Sequence, residues 1–332
     1  MVYVDTRDLK SIVTKAKCFK NPYLPITGSV KISARDNILT LEASGIDLHY
    51  KASIYCQSHG VLDPIMVDKA KLLKVLNGKE TEISVEQSGF IKLNNVKIVQ
   101  SFDWNDFPEF PAMKSTSEPI CVQMPDLKTV LITKPSDSRA VVSGVSMGEK
   151  VFESTDSKRL VRVHVPLANH DRVFVGKDHL HAVTKVFKKS CHYQISEKSI
   201  QFFDDRETVS MMLMDNCAFP DTTEIWNDQR GIEFVADIDE PMERMKSLWG
   251  KSDDIWSVSV SVSDKKLTLY SGNPETGEVT EVIDIDYVGK SASLTINARY
   301  YEGLTGSSRF IMGEDCVKIM NKNIDYLIMG LK

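Results

Sequence analysis

A helix-forming stretch followed by a short hairpin occurs three times in this 332-residue chain. It reads first as Asp68-Lys-Ala-Lys-Leu-Leu-Lys-Val-Leu and EISVEQSGFIKL. It returns as Gly176-Lys-Asp-His-Leu-His-Ala-Val-Thr-Lys-Val-Phe and HYQISEKSIQFF, and again as Asn297-Ala-Arg-Tyr-Tyr-Glu-Gly-Leu and RFIMGEDCVKIM. A period of this kind constrains the fold more than composition does, because every copy must solve the same packing problem. Two Phe-Pro junctions, Phe107-Pro108-Glu109-Phe110-Pro111 and Phe219-Pro220, lie about a third of the chain apart. Proline after an aromatic interrupts strand pairing and suits a crossover between domains. The expected domains are 1–113, 114–222 and 223–332.

Within each third the order reads helix, strands, helix, strands. Opening helices are expected near 5–18, 124–134 and 239–250. Their apolar residues recur at helical spacing: Leu9, Ile12, Val13 and Ala16; Leu127, Val130 and Leu131; Met242, Met245 and Trp249. Alternating strand pairs follow each: VKISARDNILTLEA, AVVSGVSMGEKVFEST and WSVSVSVSDKKLTLYSG. The expected class is α+β, with two helices packed on antiparallel sheets in each copy.

A hydrophobic content of 42% beside 26% charged residues fits a chain with real cores. The start, MVYVDTRDLKSIV, lacks a basic segment followed by an apolar run, and no apolar stretch approaches the roughly 18 residues of a membrane span. A cytoplasmic protein without membrane contact is expected. Cys18, Cys56, Cys121, Cys191, Cys217 and Cys316 form no CxxC pair and read as buried, reduced thiols.

The net charge of −5 argues against a nucleic-acid binder only until the charges are placed. In the second helix of the middle third, Leu180, Val183 and Phe187 form the apolar stripe, and Lys177, His181, Lys185 and Lys188 occupy the opposite face. The matching helix of the first third carries Lys69, Lys71, Lys74 and Lys79, and its opening helix adds Arg7, Lys10, Lys15, Lys17 and Lys20. Any one such helix is a solvated face. Four of six, with acid elsewhere, read as a surface that attracts phosphates without reading bases. The third copy departs from this, since Asp239, Glu240 and Glu243 offset Arg244, Lys246 and Lys251.

Four patches then resemble those of one family. They are Leu24-Pro25-Ile26, Ser154-Thr155-Asp156-Ser157-Lys158-Arg159-Leu160, Phe219-Pro220-Asp221 and Tyr326-Leu327-Ile328-Met329-Gly330-Leu331-Lys332. In order and spacing they are similar to the L-P-I, A-T-D-G-H-R-L, F-P-D and C-terminal segments of the bacterial DNA polymerase III beta subunit, the sliding clamp, over essentially the whole chain. The resemblance implies three tandem copies of the DNA-clamp domain and a homodimeric ring around double-stranded DNA. It also implies partners in a replicative polymerase and a clamp loader, with no cofactor and no enzymatic activity. DNA-facing positions would be Lys10, Lys17, Lys20, Asn21, Lys69, Lys74, Lys134, Lys177, Lys185, Lys188, Arg244 and Lys246. A partner-peptide groove between the second and third domains would be walled by Val142, Thr155, Ser157, Lys158, Arg159 and Leu160, by Pro220, Glu224 and Ile225, and by Leu327, Ile328, Met329, Gly330 and Leu331. Lys97 and Val99 on an edge strand would meet Leu248 and Trp249 of a second copy, the alternative being that Trp249 packs in the core of its own domain.

Departures from the family pattern are equally plain. Its Gly-His is Ser157-Lys158 here, its tail proline is Gly330, and a basic residue of the groove is Glu224. Its aromatic pair near DNA is Ala140-Val141, and an arginine of that region is Asn21. These changes suit a clamp encoded by a phage or other mobile element, and they keep open a scaffold that recruits or competes for host replication proteins. An enzyme is the third class, with little to support it. His179 and His181 are two apart and face different ways, His164 sits in a strand, and Asp204-Asp205 and Asp253-Asp254 read as turn acids. No glycine-rich phosphate loop, catalytic constellation or metal-ligand spacing is present.

Overall fold

The computed structural model describes residues 1–114, 117–133, 139–166, 170–214, 219–250, 255–301 and 304–331. Lys134, Cys217, Lys251, Asp253, Asp254 and Lys332, named above, lie outside these residues. The chain folds as two compact units, Met1–Met124 with Asp178–Asp215, and Pro125–Lys177 with Asn216–Lys332. The middle third therefore contributes to both.

The first unit holds a five-stranded antiparallel sheet in the order Gln57–Ser58, Val2–Asp5, Glu80–Val85, Phe90–Leu93, Val96–Val99. Its second sheet has eight strands. Ile120–Gln123, Ser190–Ile195, Ser199–Phe203 and Glu207–Met212 come from the middle third, and Leu48–Tyr55, Ile38–Ser44, Ser29–Arg35 and Leu62–Asp68 from the first. The two halves join where Val209 stands opposite Tyr50.

The second unit repeats the plan. An eight-stranded sheet runs Val173–Gly176, Gly144–Met147, Val151–Thr155, Arg159–His164, then Ile324–Met329, Cys316–Asn321, Ser308–Met312, Ile232–Ala236. Its halves join where Leu160 stands opposite Leu327. A four-stranded sheet runs Gly277–Asp284, Lys266–Asn273, Ser257–Ser263, Ala292–Asn297. Each composite sheet thus draws four strands from each of two neighbouring thirds, which is why the units do not follow the repeat.

Five described helices form where the periodicity places them, and a sixth lies outside it. They are α1 (Thr6–Ala16), α2 (Lys69–Val75), α3 (Met124–Val130), α4 (Lys177–Val186), α5 (Thr223–Asn227) and α6 (Asp239–Lys246). Asp5 caps α1 by accepting from the amides of Arg7 and Asp8, and Asp68 caps α2 through Lys71. Leu9, Ile12, Val13 and Ala16 of α1 are buried as expected, each large side chain contributing about 1.5–3 kcal/mol of burial free energy. The third copy differs. Its second helix is a single 3₁₀ turn, Ala298–Tyr300, among the described residues, with Asn297 accepting from the Arg299 amide. α5, just after the second Phe-Pro junction, has no counterpart in the sequence reading.

The cysteines divide. Cys56 and Cys191 are buried, and burial pushes both thiols up in pKa. Cys18 and Cys316 are half-buried, and Cys121 is exposed on the strand at one edge of its sheet, contrary to the expectation of buried thiols.

Candidate functional site

The helix faces show where positive charge reaches solvent. On α1, Arg7, Lys10, Thr14 and Lys17 lie three or four residues apart and are all exposed. Lys20 follows the helix and is exposed, with Asn21 half-buried beside it. Lys71 and Lys74 are exposed on α2, and His181, Lys185 and Lys188 on and just after α4. Lys10, Lys17, Lys20, Lys74, Lys185 and Lys188 form no ion pair among the described residues. Their charge is therefore available to a polyanion.

Two expected DNA-facing lysines are not on this surface. Lys69 and Lys177 are 4% and 2% exposed. Each is the first residue of its helix, and its side chain turns inward to backbone carbonyls instead of out to solvent. Lys69 Nζ donates to the carbonyl oxygens of Phe19 at 2.5 Å and Thr27 at 2.6 Å. Lys177 Nζ donates to those of Val142 at 2.6 Å and Thr155 at 2.9 Å. Burial holds both amines down to about 8, with repulsion from Lys20 adding to the shift at Lys69. At Lys177, Asp156 opposes the shift and Arg159 adds to it.

α6 carries little free positive charge. Arg244 donates to Glu281 at 2.5 Å and to Glu240 at 3.4 Å. Lys246 pairs with Glu243 at 2.9 Å and lies 5.7 Å from the Tyr301 ring centre.

The groove residues gather in the second unit. Residues paired across a strand junction point to the same side of a sheet, and successive residues point to opposite sides. Leu160, Leu327, Arg162 and Asp325 therefore share one face. α5 covers that face: the Arg162 guanidinium lies 4.7 Å from the Trp226 ring centre, and Thr222 Oγ1 and Trp226 Nε1 both donate to Glu153. Pro220, Glu224 and Ile225 are exposed around it. Arg159 and Ile328 point to the other face. Arg159 donates to Asp156 Oδ2 at 3.0 Å and to the Ile132 carbonyl, and stacks 5.1 Å from the Tyr300 ring centre.

Val142, Arg159 and Ile328 are thus interior residues rather than exposed walls, and Leu160 and Leu327 are also buried. Thr155, Gly330 and Leu331 are half-buried, and Ser157, Lys158 and Met329 are exposed. The tail is tied on both sides: Met329 N donates to Lys158 O at 2.9 Å, Gly330 N to Asp315 O at 2.8 Å and Leu331 N to Thr295 O at 2.7 Å.

Two of the family departures in this region have a local setting. Ser157 has φ +74°, a left-handed conformation that favours glycine, and its Oγ accepts from Arg139 at 2.5 Å. At Gly330 a Cβ would meet Leu294 Cδ1 at 2.5 Å and the Asp315 carbonyl oxygen at 3.2 Å.

At the sheet edges, Lys97 and Val99 lie on Val96–Val99, the last strand of the five-stranded sheet, with Val99 64% exposed. Leu248 and Trp249 follow α6 and are half-buried. Trp249 Nε1 donates to Ser271 Oγ at 2.9 Å, and the Leu248 carbonyl accepts from Asn273 and Thr276. They brace the hairpin carrying the edge strand Gly277–Asp284, where Val282 is 54% exposed. This strand was not expected from the sequence, although the β-branched residues Val279, Thr280, Val282 and Ile283 signal it.

The residues weighed for chemistry do not assemble. His164 Nε2 pairs with Asp325 Oδ2 at 2.6 Å on an exposed strand end. Among the described residues, no group of three or more His, Cys, Asp or Glu side chains could hold a metal ion. No described helix is long and apolar enough to cross a membrane.

Residues 236–305 match the family model for the DNA polymerase III beta subunit, C-terminal domain. The C. crescentus beta sliding clamp has a TM-score of 0.86 to this chain at 17% identity, covering 100% of this chain and 99% of its own. The Bacillus subtilis DNA polymerase sliding clamp has a TM-score of 0.86 at 17% identity, covering 100% and 98%. The Helicobacter pylori beta clamp bound to a DNA ligase peptide has a TM-score of 0.85 at 18% identity, covering 100% of each. No curated protein matches by sequence. The resemblance read from the four patches holds at the level of fold, on a divergent sequence.

Proposed function

We propose that this chain, which has the fold of the bacterial DNA polymerase III beta sliding clamp, works as one: a non-enzymatic cytoplasmic ring of two copies, three clamp domains each (1–113, 114–222 and 223–332). The ring encircles duplex DNA without reading sequence and tethers a polymerase and a clamp loader. One observation carries the proposal. The composite sheets are built by a single rule: the end strand of one half-sheet pairs with the end strand of the next, Glu207–Met212 with Leu48–Tyr55 and Ile324–Met329 with Arg159–His164. Two half-sheets then remain, and the corresponding end strands are Val96–Val99 and Gly277–Asp284. Exposed edges of this kind invite pairing. Applying the rule once more, between two copies related by a twofold axis, satisfies both edges and closes the assembly.

The exposed lysines of α1, α2 and α4 then supply weak, mobile phosphate contacts while topology supplies retention. Partner peptides dock in the second unit by laying apolar side chains between the junction residues Pro220 and Ile225 and the tail at Met329. Sedimentation tests the assembly. The wild-type chain should give particles of two chains, and Val99→Glu should give single chains. Single chains in the wild type, or a Val99→Glu variant still paired, would contradict it.

A second reading, a clamp-fold scaffold that engages host replication proteins without being loaded on DNA, is favoured by the neutralised cations of α6 and the burial of Lys69 and Lys177.

A further inference from the structure

We infer that Lys177 is a positioning residue for the peptide groove, an interior tether that holds two groove segments in register; the inference rests on the groove reading above. One ammonium, 2% exposed, reaches two carbonyls far apart in sequence, Val142 O at 2.6 Å and Thr155 O at 2.9 Å. Val142 lies in the 3₁₀ turn Ala140–Ser143 that leads into the strand Gly144–Met147. Thr155 ends the strand Val151–Thr155 and opens the turn that displays Ser157 and Lys158. Charge-assisted bonds to carbonyls are the stronger class, and a buried ammonium cannot release them to water without loss. The turn after Thr155 is shaped locally by Thr155 Oγ1 donating to Arg159 O and by Asp156 accepting from the amides of Lys158 and Arg159, and its exposed side takes bonds from Arg139 and from the amide of Met329. The Lys177 bridge is the buried link between it and the 3₁₀ turn beside it, where the bond from Arg139, the residue capping that 3₁₀ turn, to Ser157 is an exposed one.

Lys69 supplies an internal control. It stands at the same place in the first copy, also at the head of a helix, and its Nζ bridges Phe19 O and Thr27 O, the latter in the 3₁₀ turn Pro25–Gly28. Removing that bridge costs the fold a comparable tether and leaves the groove segments untouched.

Lys177→Met and Lys69→Met of the full chain should be compared with wild type well below their melting temperatures. Two readouts separate a positioning role from a merely structural one. The first is hydrogen exchange at the amides of Val142 and Asp156. The second is the Kd for a labelled copy of the DNA ligase peptide used with the Helicobacter pylori clamp. Lys177→Met should speed exchange at both amides and raise Kd about tenfold; Lys69→Met should change neither. Should Lys177→Met fail to fold, Lys177→Gln, too short to span both carbonyls, gives the same two readouts. A wild-type chain that binds the peptide while the Lys177 variant binds equally well overturns the inference and leaves the groove standing. A wild-type chain that does not bind the peptide overturns the groove reading and the inference with it.

Discussion

Lys15 on α1 places its Nζ 2.5 Å from Glu207 Oε2, and Tyr50 donates its hydroxyl to the other oxygen of the same carboxyl. Glu207 belongs to the middle third, while Lys15 and Tyr50 belong to the first. The carboxylate side chain is 11% exposed, so the junction between two half-sheets is fastened by a shielded charge. Removing one partner of such a group strands the others. Glu207→Ala should therefore cost about 2–4 kcal/mol in denaturant unfolding, more than Lys15→Met does. Equal and small losses would mean that the junction depends on the backbone ladder alone.

Ser157 occupies a left-handed conformation at φ +74°. Ser157→Gly relieves that strain and loses only an exposed bond to Arg139, so the chain should gain about 0.5–1 kcal/mol of stability. A fall in melting temperature would show that the Arg139 bond outweighs the strain.

Gly330 packs against Leu294 and donates its amide to Asp315 O. Gly330→Ala should cost about 1–3 kcal/mol by overpacking. Gly330→Pro adds loss of the amide donor and should cost about 1 kcal/mol more. If proline, the residue of the family pattern, were tolerated as well as alanine, the tail would not be held as described.

Lys69 and Lys177 give a pH dependence whose sign is fixed. Burial lowers both from 10.5 to about 8 in the folded chain, so between those values the unfolded chain binds more protons. Stability therefore rises with pH across that window, by up to about 1.4 kcal/mol per pH unit for each lysine. The stability difference between wild type and Lys69→Met should be flat below pH 7 and move in favour of wild type from pH 8 to 10. Movement the other way would place the folded pKa above the unfolded one.

Much of the fold was legible because its periodicities are long and repeated. The stripe Leu9, Ile12, Val13 and Ala16 announced α1, and the Val258, Val260 and Val262 alternation announced its strand. The site was less legible. A lysine at the head of a helix reads like any other basic residue until the distant carbonyls that take up its ammonium are known, and so Lys69 and Lys177 were expected on the surface. Arg159 and Ile328 look like groove walls in a list of patches, but strand pairing sends them to the opposite face from Leu160 and Leu327. The neutralising of Arg244 by Glu281 depends on a hairpin 37 residues away, which local spacing cannot reveal.

Retention on circular DNA tests the central claim most directly. With an active clamp loader and ATP, labelled protein should co-elute with nicked circular duplex in gel filtration and be released when a restriction enzyme linearises the circle. Protein that never stays on the circle under loading conditions, or that stays equally on the linear form, would contradict topological tethering.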